Sequence, residues 1–304
     1  MALPWLNEVE QRLTQSYKAQ RFHHAQLFCG PIGVGKFELS EQLANSLLCQ
    51  NTQVQLSSPT SVLRPCGQCK SCSLNLAGTH PDKRITQVEG QSIGVDDIRG
   101  ISDFMHQSAA QNGNKVAIIQ NCEKMTTAAA NALLKTLEEP SNSRFLILTT
   151  SQVAQLPATI LSRCAKTEVK VTNNQLAQQW LSSLDVPNYP WLSLFYSQPL
   201  QVKQWQQQNQ LESIDTLYKF ATEFKQSHNF NALVDIINKQ PELVRIFTLF
   251  LSEQLKQQLL NGMSFDSYQV AQQALNDFLQ NNIQILGLNL PLAVSRLAYT
   301  LRNQ

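Results

Sequence analysis

Gly30-Pro31-Ile32-Gly33-Val34-Gly35-Lys36-Phe37 decides the fold, because its glycines and lysine fall at the spacing of the Walker A phosphate loop. Such a loop leaves a buried parallel strand and opens a helix, and both flanks are present. Ala25–Cys29 is a short, mostly apolar run that reads as the strand, and Phe37–Leu48 reads as the helix. Glycines let backbone amides converge on an anion and Lys36 adds positive charge, so Gly30, Gly33, Gly35 and Lys36 are the candidate nucleotide-binding residues. The last position breaks the pattern. Phe37 stands where a Ser or Thr hydroxyl would ligate magnesium, a loss that damages hydrolysis more than binding. The loop still leaves room for ATP or ADP as a static ligand.

A second strand carries a matching loss. Lys115–Gln120 has the apolar content of a central strand, which in a hydrolysing P-loop enzyme would end in Asp followed by Glu. Gln120 and Asn121 hold those places, and an amide neither takes a proton from water nor holds magnesium as a carboxylate does. Glu123 is the alternative acid, in a register shifted by two residues.

Two further apolar runs, Arg84–Val88 and Phe145–Thr149, alternate with helical patterns up to residue 166, which predicts a parallel sheet covered by helices. Beyond about residue 167 the strands fade. Asn173–Leu184 reads as a short amphipathic helix, Pro187 and Pro190 interrupt, and from Leu211 apolar residues recur at helical spacing. Three domains follow: 1–166, 167–208 and 209–304. His80 reads as a turn residue, and His23 and His24 as packing or hydrogen-bonding groups near the phosphate loop.

Cys66-Gly-Gln-Cys69-Lys-Ser-Cys72 sets thiols at successive three-residue steps, with Pro65 and Gly67 favouring a turn that aims them at one metal. Cys49, at the end of the helix after the phosphate loop, completes a four-thiol set consistent with tetrahedral structural zinc in a module spanning about 49–72. Disulfides are the rival. The early Asn7, Glu8, Glu10 and Arg12 argue against a secretory signal, so the expected home is cytoplasmic, where thiols stay reduced. Cys29, Cys122 and Cys164 read as ordinary buried cysteines.

With 304 residues and a formal charge of +2, the chain has no broad electrostatic grip on DNA. No run reaches the ~20 apolar residues of a membrane helix. The most hydrophobic tail segment, Leu243–Leu260, is broken by Arg245, Glu253 and Lys256.

Asn131-Ala-Leu-Leu-Lys-Thr-Leu-Glu-Glu-Pro140, followed by Phe145–Thr150 and then Ser162-Arg163-Cys164, resembles the bacterial clamp-loader AAA+ subunits of DNA polymerase III over roughly the first 165 residues. The resemblance implies an α/β AAA+ domain with a RecA-like parallel sheet and a zinc-binding insertion, then a small helical lid, then an all-α collar that joins a hetero-oligomeric ring. It also implies a subunit that does not hydrolyse ATP itself. Arg163 takes the place of the family's trans-acting arginine finger, which reaches ATP on an adjacent motor subunit of the tau or gamma kind; the delta subunit, the sliding clamp and primed DNA are the other implied partners. Members that sense nucleotide carry an arginine in the lid, whereas no Arg lies between Arg163 and Arg245 and Lys203 is a partial substitute. Two other readings stay open: an active AAA+ ATPase using Glu123, and a zinc-containing nucleic-acid-binding module.

Overall fold

In the computed structural model, which describes residues 3–52, 62–87, 92–111, 113–139, 142–227, 229–285 and 287–303, helix α1 (Asn7–Lys18) leads into β1 (Ala25–Cys29). The phosphate-loop sequence then opens α2 (Lys36–Leu48), and α3 (Lys70–Leu76) follows the cysteine run. The remaining strands are β2 (Lys83–Thr86), β3 (Lys115–Ile119), β4 (Arg144–Thr150) and β5 (Ala165–Glu168), interleaved with α4 (Val95–His106), α5 (Thr127–Glu138) and the short α6 (Ala158–Leu161). Val88 and Pro140, expected to end a strand and a helix motif, lie outside the described residues.

The strands form a parallel sheet in the order β2-β3-β4-β1-β5. Every residue of β1 and β3 is buried, as expected for strands covered on both faces. Apolar residues of α4 and α5, including Ile98, Ile101, Leu133 and Leu137, join Leu27, Ile119 and Leu148 in one core. Helix α5 starts where the Thr126 hydroxyl accepts from the Ala129 N–H at 3.2 Å, an N-cap that fixes its first turn.

Strand β5 was not expected. It is four residues long, alternates half-buried with exposed positions, and carries Lys166 and Glu168 outward, so it lacks the apolar run that marked the central strands. The expected domain limit at residue 166 falls inside it.

The described residues form two compact units, 1–186 with 194–203, and 187–193 with 204–304. Helix α7 (Asn174–Ser182) belongs to the first, as do the opening residues of α8 (Pro199–Gln207). The second unit is helical: α9 (Leu211–Thr222), α10 (Asn231–Lys239), α11 (Val244–Leu260), α12 (Phe265–Gln284) and α13 (Leu290–Arg302). Its core is aromatic, with Trp191 fully buried near Trp205 and Phe250, and Phe224 against Phe247. Among the described residues no helix is long and apolar enough to cross a membrane.

One buried ion pair sets the edge of the sheet. Asp82, wholly buried just before β2, accepts the backbone N–H groups of Ala110 and Gln111 at 2.8 and 2.9 Å and lies 3.5 Å from Lys115 Nζ. The ammonium also sits 4.2 Å from the centre of the Phe104 ring. Asp82→Ala leaves that charge buried without its partner, and denaturant unfolding is expected to register a loss of about 3–5 kcal/mol; a change below about 1 kcal/mol, the scale of a surface pair, contradicts this account.

Candidate functional site

The carboxyl ends of β1, β3 and β4 meet where the sheet order reverses, the usual ligand position in a parallel sheet. Residue 30 leaves β1 with its N–H donating to Thr150 O at 3.2 Å, and Gln120 and Asn121 leave β3 beside it, with the Asn121 N–H donating to the Thr149 hydroxyl at 3.2 Å. Gly33 and Gly35 both adopt positive φ, 74° and 101°, the left-handed turns that the loop needs and that side chains resist.

The loop is held by its own chain. Lys36 is 8% exposed, and its Nζ donates to the carbonyls of Gly30 and Pro31 at 2.8 Å each. The Trp5 indole N–H donates to Val34 O at 2.8 Å, and the Leu200 N–H at the start of α8 donates to Gly33 O at 2.9 Å. A side chain at Gly33 would meet the Cβ and backbone N of Gln201 at 2.8 Å, and one at Gly35 would meet Leu3 at 2.7 Å. Burial pushes the Lys36 ammonium pKa down, opposed by the negative charge of Glu123. The four phosphate-loop residues thus form the expected turn, packed against residues 200–201.

Glu123 sits in a short 3-10 turn after β3, and its Oε1 accepts from the Ser151 N–H at 3.2 Å and the Ser151 hydroxyl at 2.7 Å. Burial works to raise its pKa, but the bonds from Ser151 outweigh it and hold the carboxyl below its usual range. Its second oxygen is buried without a hydrogen-bond partner. Lys203 does not face the loop; its Nζ lies 6.0 Å over the Trp180 ring, and Gln201 takes the place above Gly33. His23 and His24 do make hydrogen bonds, to Ala25 and to Leu137 O, but at the start of β1, the end opposite the loop. His80 serves as the expected turn residue, with its Nδ1 accepting from the Asp82 N–H at 3.1 Å.

Arg163 follows α6. Its Nη1 donates to Thr159 O at 3.0 Å and to the Ser162 hydroxyl at 3.2 Å, and its Nη2 pairs with Glu138 Oε1 at 2.5 Å. The side chain is 35% exposed.

Cys49, Cys66, Cys69 and Cys72 come together, with their sulfurs all within 4.8 Å of one another. Cys49 Sγ to Cys69 Sγ and Cys66 Sγ to Cys72 Sγ are both 3.9 Å. Four sulfurs about 2.3 Å from a central ion stand about 3.8 Å apart at tetrahedral corners, so the free thiols fit a metal. Backbone N–H groups of Cys66 and Cys69 donate to Cys49 Sγ and Cys66 Sγ at 3.2 and 3.4 Å, as suits thiolates. Bonds from the backbone of Gln68 and Cys69 hold the Cys66 thiol down to about 6, while burial pushes Cys72 up to about 12. The Arg64 guanidinium is tied to Glu10, which fastens the approach to the cluster onto α1.

Sequence reasoning missed the residues that close the loop. Trp5, Leu200 and Gln201 carry no motif, and their role comes from tertiary packing alone. Glu138 stood inside a quoted motif with no role assigned.

The parallel sheet, the loop after β1 and the helices that follow define an AAA+ module. A family model described as "DNA polymerase III, delta subunit" matches residues 5–173, more than half of the chain, and the chain belongs to that family. It is 40% identical over 181 residues to DNA polymerase III subunit delta' of Haemophilus influenzae, covering 59% of this chain and 53% of that protein. The delta' subunit of Escherichia coli is 38% identical over 181 residues, covering 59% and 52%. The chain spans about half the length of the curated relatives it matches. A crystal structure of a DNA polymerase III gamma subunit-related protein from Thermotoga maritima has a TM-score of 0.52 at 19% identity over 98% of each chain, a likeness of fold. The resemblance read from the sequence is borne out.

Metal ligation requires thiolates, so binding must release the protons the thiols still hold and must weaken as pH falls. A competition titration with a chromophoric chelator is expected to lose about tenfold in affinity per pH unit for each proton displaced. Cys69→Ser is expected to weaken binding by at least about tenfold; unchanged affinity in that variant contradicts the four-thiol site.

Proposed function

We propose that the chain is a non-hydrolysing, delta'-type subunit of the DNA polymerase III clamp loader that completes the ATP site of a neighbouring motor subunit. Arg163 is its arginine finger. A guanidinium aimed at the γ-phosphate stabilises charge that grows in the transition state and, supplied in trans, raises the rate by about 10³ to 10⁵. The observation that carries this reading is the contrast between two sites on one domain. The chain's own loop has Phe37 for a hydroxyl, Gln120 and Asn121 for acids, and Lys36 engaged by loop carbonyls, while Arg163 keeps its head at the surface.

The four cysteines hold zinc, which clips the insertion to the end of α2; when bound it supplies structure and no chemistry. Residues 167–208 act as the lid and 209–304 as the collar, whose exposed Phe265, Leu292 and Tyr299 suit burial against other subunits. The partners are tau or gamma motor subunits and the delta subunit, and through the assembly the sliding clamp and primed DNA, in the cytoplasm. Little ATP or ADP is held by the degenerate loop.

Glu123 favours a second reading, an active site with an unconventional acid, because its buried unpartnered oxygen and its charge lie near Lys36. Steady-state ATP turnover separates the two. The isolated chain is expected to be silent, and Arg163→Ala in the reconstituted loader, with clamp and primed DNA, is expected to remove at least about tenfold of the rate at the site it completes, without preventing assembly. Turnover by the isolated chain that Glu123→Gln abolishes would establish the second reading instead.

A further inference from the structure

Arg163 needs aim as well as charge. Two of its bonds, from Nη1 to Thr159 O and to the Ser162 hydroxyl, come from its own short helix α6 and its last turn, so they locate the head only relative to four helical residues. The ion pair with Glu138 is different in kind. Glu138 is the last residue of α5, which is capped by Thr126 and buries Ala129, Leu133 and Leu137 in the sheet core. Helices α5 and α6 pack together, and Cys164, next to the arginine, packs on the same core. The Nη2–Glu138 contact therefore ties the guanidinium to the end of a helix that packs on the sheet core.

That contact is a poor candidate for a stability device. The two side chains are 35% and 50% exposed, and ion pairs so open to water contribute little to folding. Nor does the arginine need a carboxylate to stay charged, since its guanidinium is protonated under all ordinary conditions. What the carboxylate does is restrict the head. With Nη1 hydrogen-bonded and Nη2 held in the ion pair, the Nε–H edge of the guanidinium is the one left to meet an oxyanion.

We infer that Glu138 is the positioning residue for Arg163, holding one side of the guanidinium so that its opposite N–H edge faces the phosphates of a nucleotide bound by the neighbouring subunit. This rests on the reading that Arg163 acts in trans. The restraint is set before the subunits meet, so little freedom remains to be lost when the phosphate arrives.

The test is the ATPase of the reconstituted loader containing wild-type, Glu138→Ala, Glu138→Gln, Arg163→Ala or the Glu138→Ala/Arg163→Ala chain, read as kcat and KM. Glu138→Ala is expected to cut the Arg163-dependent part of kcat about tenfold with KM and assembly unchanged. Glu138→Gln keeps an acceptor oxygen at the same reach and is expected to restore most of that loss. The double variant is expected to match Arg163→Ala alone, a non-additivity that a merely structural role would not produce. Wild-type or higher turnover with Glu138→Ala, while Arg163→Ala remains slow, overturns the positioning role and leaves the arginine finger standing. Wild-type turnover with Arg163→Ala overturns both.

Discussion

The two hydrogen bonds from Lys36 Nζ to the carbonyls of Gly30 and Pro31 are the constraint on which the rest of this site depends. A buried ammonium is costly unless its hydrogens are met, and bonds to a charged donor contribute roughly 1.5–3 kcal/mol each. The lysine meets its need within the loop. Trp5 and Leu200 then engage the carbonyls of Val34 and Gly33, so the turn is fixed from both sides by parts of the chain distant in sequence. The phosphate-loop turn joins the N-terminal segment, the sheet and the start of α8.

That arrangement makes sense of the chemical losses around it. Around the same loop, Phe37 replaces the hydroxyl and Gln120 and Asn121 replace the acids, while Gln201 packs over Gly33. Glu123 has found structural use, bridging the turn after β3 to the tip of β4 through Ser151. At another point, four thiols of an insertion with few apolar residues come together where they could hold a metal.

Much of this was legible in the sequence, for identifiable reasons. Strands β1, β3 and β4 announce themselves as apolar runs because both faces are covered, and the cysteine spacing is short enough for its geometry to follow from local turns. Strand β5 was hidden because edge position exposes alternate residues, and Lys166 and Glu168 erase the apolar signal. Lys203 was the natural stand-in for a missing lid arginine by charge, yet the backbone brings Gln201 to the loop and sends Lys203 to Trp180. Proximity of that kind depends on how α8 packs on the sheet domain, and no pattern of residue types encodes it. The same holds for Glu138, whose partner lies 25 residues away, in the turn after a different helix.

The central proposal is that the phosphate loop is engaged by its own chain and does not bind nucleotide. Equilibrium titration of the purified chain with magnesium ATP, followed by calorimetry, tests it most directly. The account predicts no saturable binding up to about millimolar nucleotide, equivalent to less than about 4 kcal/mol of affinity. Saturable binding in the micromolar range would mean that Lys36 and residues 200–201 yield to phosphate, and it would contradict the claim.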